Sequence, residues 1–159
     1  MILKPDYNVV SLFDINYNEL GQNGVKIFLF DLDSTVMPSK SGKYPDNVLS
    51  LFESLSKSFK IAIISNNKNK NYIEKVQAIS NFPVIGSANK PSPKVMKEFI
   101  TSLEIKPQET VVVGDRPLTD ILAGKLLGAK TVLVDSITKD IENKPTRFVR
   151  KLERLTIRK

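Results

Sequence analysis

The stretch FLFDLDSTV, residues 28–36, runs an apolar segment straight into two aspartates separated by one leucine. Carboxylates this close repel each other. Placing them at the end of a buried strand is costly unless a cation or a proton offsets part of the charge. A chain that keeps such a pair is expected to hold something positive beside it. Composition limits the chemistry available there: the chain contains no histidine and no cysteine. Imidazole bases, thiolate nucleophiles and their metal sites are therefore excluded, leaving carboxylates, lysine, hydroxyls and cations bound by oxygen.

Apolar runs rich in branched residues recur at 26–30, 60–64, 83–86, 110–113 and 131–134, and these suit strands. The intervening stretches predict helices over 46–58, capped by Asp46 or Asn47; over 69–80; over 92–103, capped by Ser92; and over 118–127, closed by Gly128. Strand and helix alternate, which predicts an α/β fold with a mostly parallel, five-stranded sheet. The 159 residues, 41% of them hydrophobic, supply one ordinary core, so a single domain over 1–159 is expected, with 1–25 a leading segment packed on the sheet. The longest apolar runs, IFLF, IAII and TVLV, fall far short of the roughly 20 residues of a membrane-spanning helix. The amino terminus reads as neither an export nor an organelle signal.

Polar residues fall where these strands end. Asp31 and Asp33 follow the first strand, Ser65, Asn66 and Asn67 the second, Lys90 the third after a short loop, and Gly114 and Asp115 the fourth. In an open α/β sheet the carboxyl ends of parallel strands share one edge, and ligands bind there. A lone DxD is as well read as a turn or a helix cap, but four converging segments are not. Simpler roles suit the neighbours: Thr35 as a brace of the turn, Asn67, Asn69 and Asn71 as caps of a helix start, Lys94 and Lys97 on a solvated face, and Asp135 in a turn.

Together, DLDST at 31–35, ISNN at 64–67, NKPSPK at 89–94 and GDRPLTD at 114–120 resemble the motifs of the haloacid dehalogenase (HAD) superfamily of phosphatases, over residues 26–135. The resemblance implies a Rossmann-like, doubly wound fold in three αβα layers. It also implies a phosphatase that uses Mg²⁺ and an aspartyl-phosphate. Asp31 would be the nucleophile and Asp33 the acid and base that serves the leaving oxygen and then water. Asp31, Asp33 through its backbone carbonyl and Asp115 would bind the metal, with Asp120 as a supporting carboxylate. Ser65, amides near Asn66, and Lys90 would hold the phosphate, Lys90 also offsetting charge at the nucleophile.

Many HAD enzymes carry a cap domain, but only about ten residues separate Thr35 from the next predicted helix, and the span from Asn67 to Lys90 holds one helix and a short strand. No cap domain is expected, which suits a bulky or surface-presented substrate. The whole chain, from PDYNVVSLFDI to PTRFVRKLER, is similar to the capless YqeG-type group of subfamily IIIA, related to phosphatidylglycerophosphate phosphatases. Ser34 and Arg116 stand where these relatives usually have asparagine and glutamine. The implied substrate is phosphatidylglycerophosphate; a nucleotide, sugar phosphate or phosphoprotein is the alternative, and a receiver-like signalling domain a more distant one. Receivers take phosphate on an aspartate after strand three, where this chain offers Lys90.

The tail is consistent with a membrane partner. Residues 144–159 hold seven Lys or Arg and one Glu, +6 of the chain's net +7. On a helix Arg147, Arg150, Lys151, Arg154 and Arg158 form one stripe, and Phe148, Val149, Leu152 and Leu155 another. This basic, amphipathic tail suits an anionic bilayer surface or docking on the domain. Nucleic acid is disfavoured, for want of interleaved aromatics or a known binding module. The expected location is cytoplasmic and peripheral to the membrane, or an organelle matrix after removal of a presequence.

Overall fold

The structure is a computed structural model that describes residues 3–137; the basic tail at 144–159 lies outside the described residues. In chain order the elements are β1 (Tyr7–Asn8), α1 (Tyr17–Gln22), β2 (Ile27–Phe30), α2 (Asp46–Leu55), β3 (Lys60–Ile64), α3 (Lys70–Ala78), β4 (Val84–Ile85), α4 (Lys94–Ser102), β5 (Thr110–Gly114), α5 (Leu122–Leu127) and β6 (Lys130–Leu133). The strands form one sheet in the order β1-β6-β5-β2-β3-β4. Every pairing is parallel. The chain winds outward from β2 through β3 to β4, then returns to the other side of β2 for β5 and β6, as expected of a doubly wound sheet.

The strand period of two separates the core into two layers. On β2, Phe28 and Phe30 join the cluster beneath α1, α2 and α3, whereas Ile27 and Leu29 join the one beneath α4 and α5. All four residues are buried, as suits a central strand covered on both faces. Phe52 of α2 packs on Phe30 with ring centroids 4.9 Å apart, and Tyr17 meets Phe28 edge-on at 5.1 Å. Gly128 ends α5 in the left-handed conformation, φ 88°, as its place after the helix predicts.

Three expectations are corrected. The sheet has six strands, not five, because the leading segment supplies β1 and does more than pack on the sheet. Tyr7 pairs with Val132 and Asn8 with Leu133. Tyr7–Asn8 lacks the apolar run that marks the equally short β4 within 83–86. Ser92 does not cap α4; Pro93 occupies that position with no side-chain cap bond, and Ser92 Oγ instead accepts from the Lys94 N–H at 3.4 Å. Likewise Asp46 is the first residue of α2, one step beyond its cap, Pro45.

Asp6 ties the leading segment down. Its carboxylate accepts from the Thr131 N–H at 2.8 Å, the Thr131 hydroxyl at 3.0 Å and the Lys125 ammonium at 2.8 Å. Burial alone would raise this carboxyl, but the bonds from Lys125 and Thr131 outweigh it and hold it below its ordinary value of 3.8. A depressed carboxyl stabilises the fold above its unfolded-state value and ceases to do so as pH falls through the folded-state value. Replacing Asp6 by Ala is expected to cost about 1 kcal/mol after allowance for its exposure, a fall of about 2–4 °C in Tm at pH 7. In thermal melts the difference from wild type should shrink once the pH drops below about 4; a deficit independent of pH would contradict this account.

Candidate active site

The winding order sets the site. β2 and β5 are neighbours at the point where the topology reverses, and Asp31 and Asp115 leave their carboxyl ends. The Asp31 N–H donates to Val113 O at 2.9 Å, so the sheet ladder itself fixes the base of this residue. A crevice at such a reversal is where open α/β sheets bind ligands. The cleft there, about 310 Å³, is lined by Asp31, Asp33, Ser65, Asn66, Lys90 and Arg116 among others.

Lys90 sets a buried positive charge against one of the paired aspartates, Asp31, and its second carboxylate partner is Asp120 rather than Asp33. Its Nζ donates to Asp31 Oδ1 at 2.8 Å, Asp120 Oδ1 at 2.7 Å and the Ile64 carbonyl at 2.9 Å, which uses all three ammonium protons. Burial would lower its pKa, but the Asp120 and Asp31 carboxylates outweigh burial and hold it well above the ordinary lysine value. Asp120 is equally buried. Burial, reinforced by the charge of Asp31, pushes its carboxyl up to about 6 against the pull of Lys90 and of the Arg116 N–H, which bonds Oδ2 at 3.2 Å.

Thr35 braces more than a turn. Its buried hydroxyl lies 3.0 Å from Asp115 Oδ1 and 3.3 Å from Asp31 Oδ2, bridging the acids of two strands. Asp31, Asp115 and Asp120 each bring one carboxylate oxygen within 4.8 Å of the others. When ionised, these three acids against the one Lys90 ammonium leave a net −2, the charge that a divalent cation neutralises. An all-oxygen donor set fits Mg²⁺.

The Asp33 carboxylate stands apart from that cluster. Its Oδ1 accepts from the Lys40 N–H at 2.8 Å and from the Tyr72 hydroxyl at 2.7 Å. Tyr72 in turn receives a backbone hydrogen bond from Gly42; burial first, then the charge and hydrogen bond of Asp33, push its hydroxyl far above its ordinary value, so it remains a donor. Ser65 is buried at the end of β3, and its Oγ accepts from the Asn67 N–H at 3.0 Å. The Asn66 side chain is committed elsewhere. It donates to Lys90 O at 2.9 Å and accepts from Lys90 N at 2.7 Å, clamping the main chain that presents the lysine. Asn69 caps α3 by accepting from the Tyr72 N–H at 3.2 Å, and Asn67 accepts from the Asn69 N–H at 2.8 Å.

Comparison with known proteins agrees with this geometry. The protein is 31% identical over 151 residues to "Probable phosphatase YqeG" of Bacillus subtilis (strain 168), covering 94% of this chain and 87% of that one. The chain belongs to the HAD-like phosphatase family. Residues 87–155 of this HAD phosphatase, which include Lys90, Asp115 and Asp120, also match the family described as HAD-hydrolase-like. Ribonucleotide monophosphatase NagD of Escherichia coli (strain K12) is 38% identical over 78 residues, 47% of this chain and 30% of that protein. Two solved structures share the fold. A HAD family enzyme from Bacteroides thetaiotaomicron has a TM-score of 0.55 at 14% identity, covering 79% of this chain and 98% of that one. 2-Haloacid dehalogenase from Pseudomonas syringae pv. Tomato DC3000 has a TM-score of 0.53 at 14% identity, covering 75% and 89%.

In this HAD phosphatase the glycine of GDRPLTD has a steric cause. A Cβ at Gly114 would lie 2.2 Å from the Asp120 carboxyl, a distance that real contacts never show. Sequence reading missed Tyr72 and Lys40, since a helical tyrosine and a loop amide carry no motif. The sole signal was that both lie in segments leaving the catalytic edge. Substituting Gly114 by Ala should displace Asp120 from Lys90 and cost about 3 kcal/mol, a Tm lower by roughly 10 °C. Phosphatase turnover should fall with it. Unchanged melting would mean that the loop after β5 yields freely and that Gly114 is not required by Asp120.

Proposed function

We propose that this HAD phosphatase is a Mg²⁺-dependent phosphomonoester hydrolase acting through an aspartyl-phosphate, and that its substrate is phosphatidylglycerophosphate, released as phosphatidylglycerol and phosphate. The observation that carries the reaction is the buried Lys90 ammonium 2.8 Å from Asp31 Oδ1. A fixed cation at the nucleophile opposes the charge that gathers as a phosphoryl group arrives, and it needs no reorganisation to do so. In the first step an Asp31 oxygen bonds to phosphorus, the bond to the ester oxygen breaks, and Asp33 gives that oxygen its proton. In the second, Asp33 takes a proton from water, the water oxygen bonds to phosphorus, and Asp31 departs as a free carboxylate. Ser65 and the main chain at Asn66 line the cleft where phosphate oxygens would rest. Asp31, the backbone carbonyl of Asp33 and Asp115 would hold Mg²⁺, which when bound supplies charge neutralisation at the phosphoryl oxygens.

The lipid substrate is supported by the open site, the tail and the resemblance. Among the described residues nothing larger than a loop joins β2 to α2, and only α3 separates β3 from β4, so no cap domain encloses the cleft. A headgroup still in its bilayer could reach Asp31. The +6 tail would hold the enzyme peripherally on an anionic, cytoplasmic membrane face. Nucleotides, sugar phosphates and phosphoproteins compete with this reading. Phosphate release from a panel containing all of them, with vesicle-borne phosphatidylglycerophosphate, decides it; preference for any soluble member over the lipid would overturn the lipid assignment.

Asp31→Asn is expected to abolish turnover while leaving the melting transition cooperative, and chelation of divalent cations should silence the wild type until Mg²⁺ is restored. Activity that survives either treatment would refute the mechanism. Changing Arg147, Arg150, Arg154 and Arg158 to Gln should weaken binding to anionic vesicles by at most about 1 kcal/mol per residue, and less at high salt. Hydrolysis of a soluble short-chain analogue should barely change. Co-sedimentation at low and high salt measures this, and equal binding by both proteins would reduce the stripe to a solvated face.

A further inference from the structure

Asp33 is held from two directions by groups outside the HAD motifs. The loop between β2 and α2 supplies the Lys40 N–H at 2.8 Å, and the first turn of α3 supplies the Tyr72 hydroxyl at 2.7 Å. Both donors fall on the same oxygen, Oδ1. The Tyr72 oxygen is itself fixed by Gly42 of the loop, lies 3.6 Å from Met37 Sδ, and sits on a helix whose start is capped by Asn69. A carboxylate gripped by one oxygen keeps a defined plane and presents the other, Oδ2, for proton exchange. Without the hydroxyl, one amide would remain, and a carboxylate on a single hydrogen bond rotates about its terminal torsion, which has broad wells.

We propose that Tyr72 is a positioning residue for general acid catalysis: by donating to Asp33 Oδ1 it aims Asp33 Oδ2 at the ester oxygen that leaves. Tyr72 touches neither phosphorus nor the nucleophile and exchanges no proton itself. This inference rests on the phosphatase reading above, in which Asp33 Oδ2 gives its proton to the leaving oxygen as the phosphorus–oxygen bond breaks. Its consequence depends on the leaving group. An alkyl ester departs as a strongly basic alkoxide and needs that proton, whereas a nitrophenyl ester departs as a stable phenolate and scarcely needs it.

The test uses the full chain with Mg²⁺ and compares wild type with Tyr72→Phe, which keeps the ring and its packing and removes only the hydroxyl. kcat/KM is measured on glycerol 3-phosphate and on p-nitrophenyl phosphate, because it reports the steps up to departure of the leaving group and excludes the later hydrolysis. The expected result is a loss of about tenfold on the alkyl ester and less than about twofold on the aryl ester. In an Asp33→Asn background the same substitution should add nothing, since the group it aims is gone. Equal losses on both esters, no loss on either, or full additivity with Asp33→Asn would overturn the role of Tyr72 and leave the phosphatase reading standing. A wild type that hydrolyses neither these esters nor the lipid would remove that reading and this inference with it.

Discussion

The Lys90 ammonium, enclosed between Asp31 and Asp120, is the constraint around which the catalytic edge is arranged. A buried lysine alone would be expensive, and so would either carboxylate; each is tolerable only because the others are within hydrogen-bond distance. The arrangement dictates several neighbours. Gly114 has no side chain because Asp120 occupies the space where its Cβ would be. The Asn66 side chain is spent on the Lys90 main chain, so the lysine is anchored at both ends. The acids still outnumber the ammonium, and burial together with the charge of Asp31 pushes Asp120 up to about 6 in spite of Lys90. That surplus of negative charge is what suits the edge to a divalent cation.

Convergence of these residues follows from winding rather than from any local attraction. Asp31 and Lys90 are far apart in sequence, yet parallel pairing from the central β2 through β3 to β4 on one side, and to β5 on the other, brings the following loops to the same edge. The burial of Phe28 and Phe30 on one face and Ile27 and Leu29 on the other fixes the register of that strand, because a slip of one residue would exchange the two faces. Core packing thereby sets the direction in which Asp31 leaves the sheet. Thr35 then joins Asp31 to Asp115 across the two central strands.

Legibility in the sequence followed the range of the interactions. Five strands and the helices between them were readable because each strand lies in an apolar run of its own, and Gly128 was readable as a stop because its φ of 88° is a local demand. Asp31, Lys90 and Asp115 were readable because each directly follows or nearly follows a strand. β1 was not, since Tyr7–Asn8 is no apolar run and exists as a strand only through Val132 and Leu133. Nor was the use of the Asn66 side chain, which depends on where Lys90 arrives 24 residues later. Ser92 has the composition of a cap without its geometry, because Pro93 already holds that position. Tyr72 was invisible for the same reason as β1: its partner, Asp33, lies 39 residues away.

The relation between Asp33 and its surroundings bears on how a HAD phosphatase works without a cap domain. An acid that must protonate a leaving group needs fixed aim as much as it needs a proton, and an enclosing domain is one way to fix it. Here the loop through Lys40 and Gly42 and the first turn of α3 meet at the Asp33 carboxylate. Both hydrogen bonds are present without a bound substrate, so in the proposed mechanism the aim is set before any substrate arrives. The same two segments are short, which keeps the cleft accessible to an ester carried on something large. In the proposed mechanism fixed aim and open access are therefore compatible, because the hydrogen bonds on Asp33 come from the β2–α2 loop and α3 and require no enclosing domain.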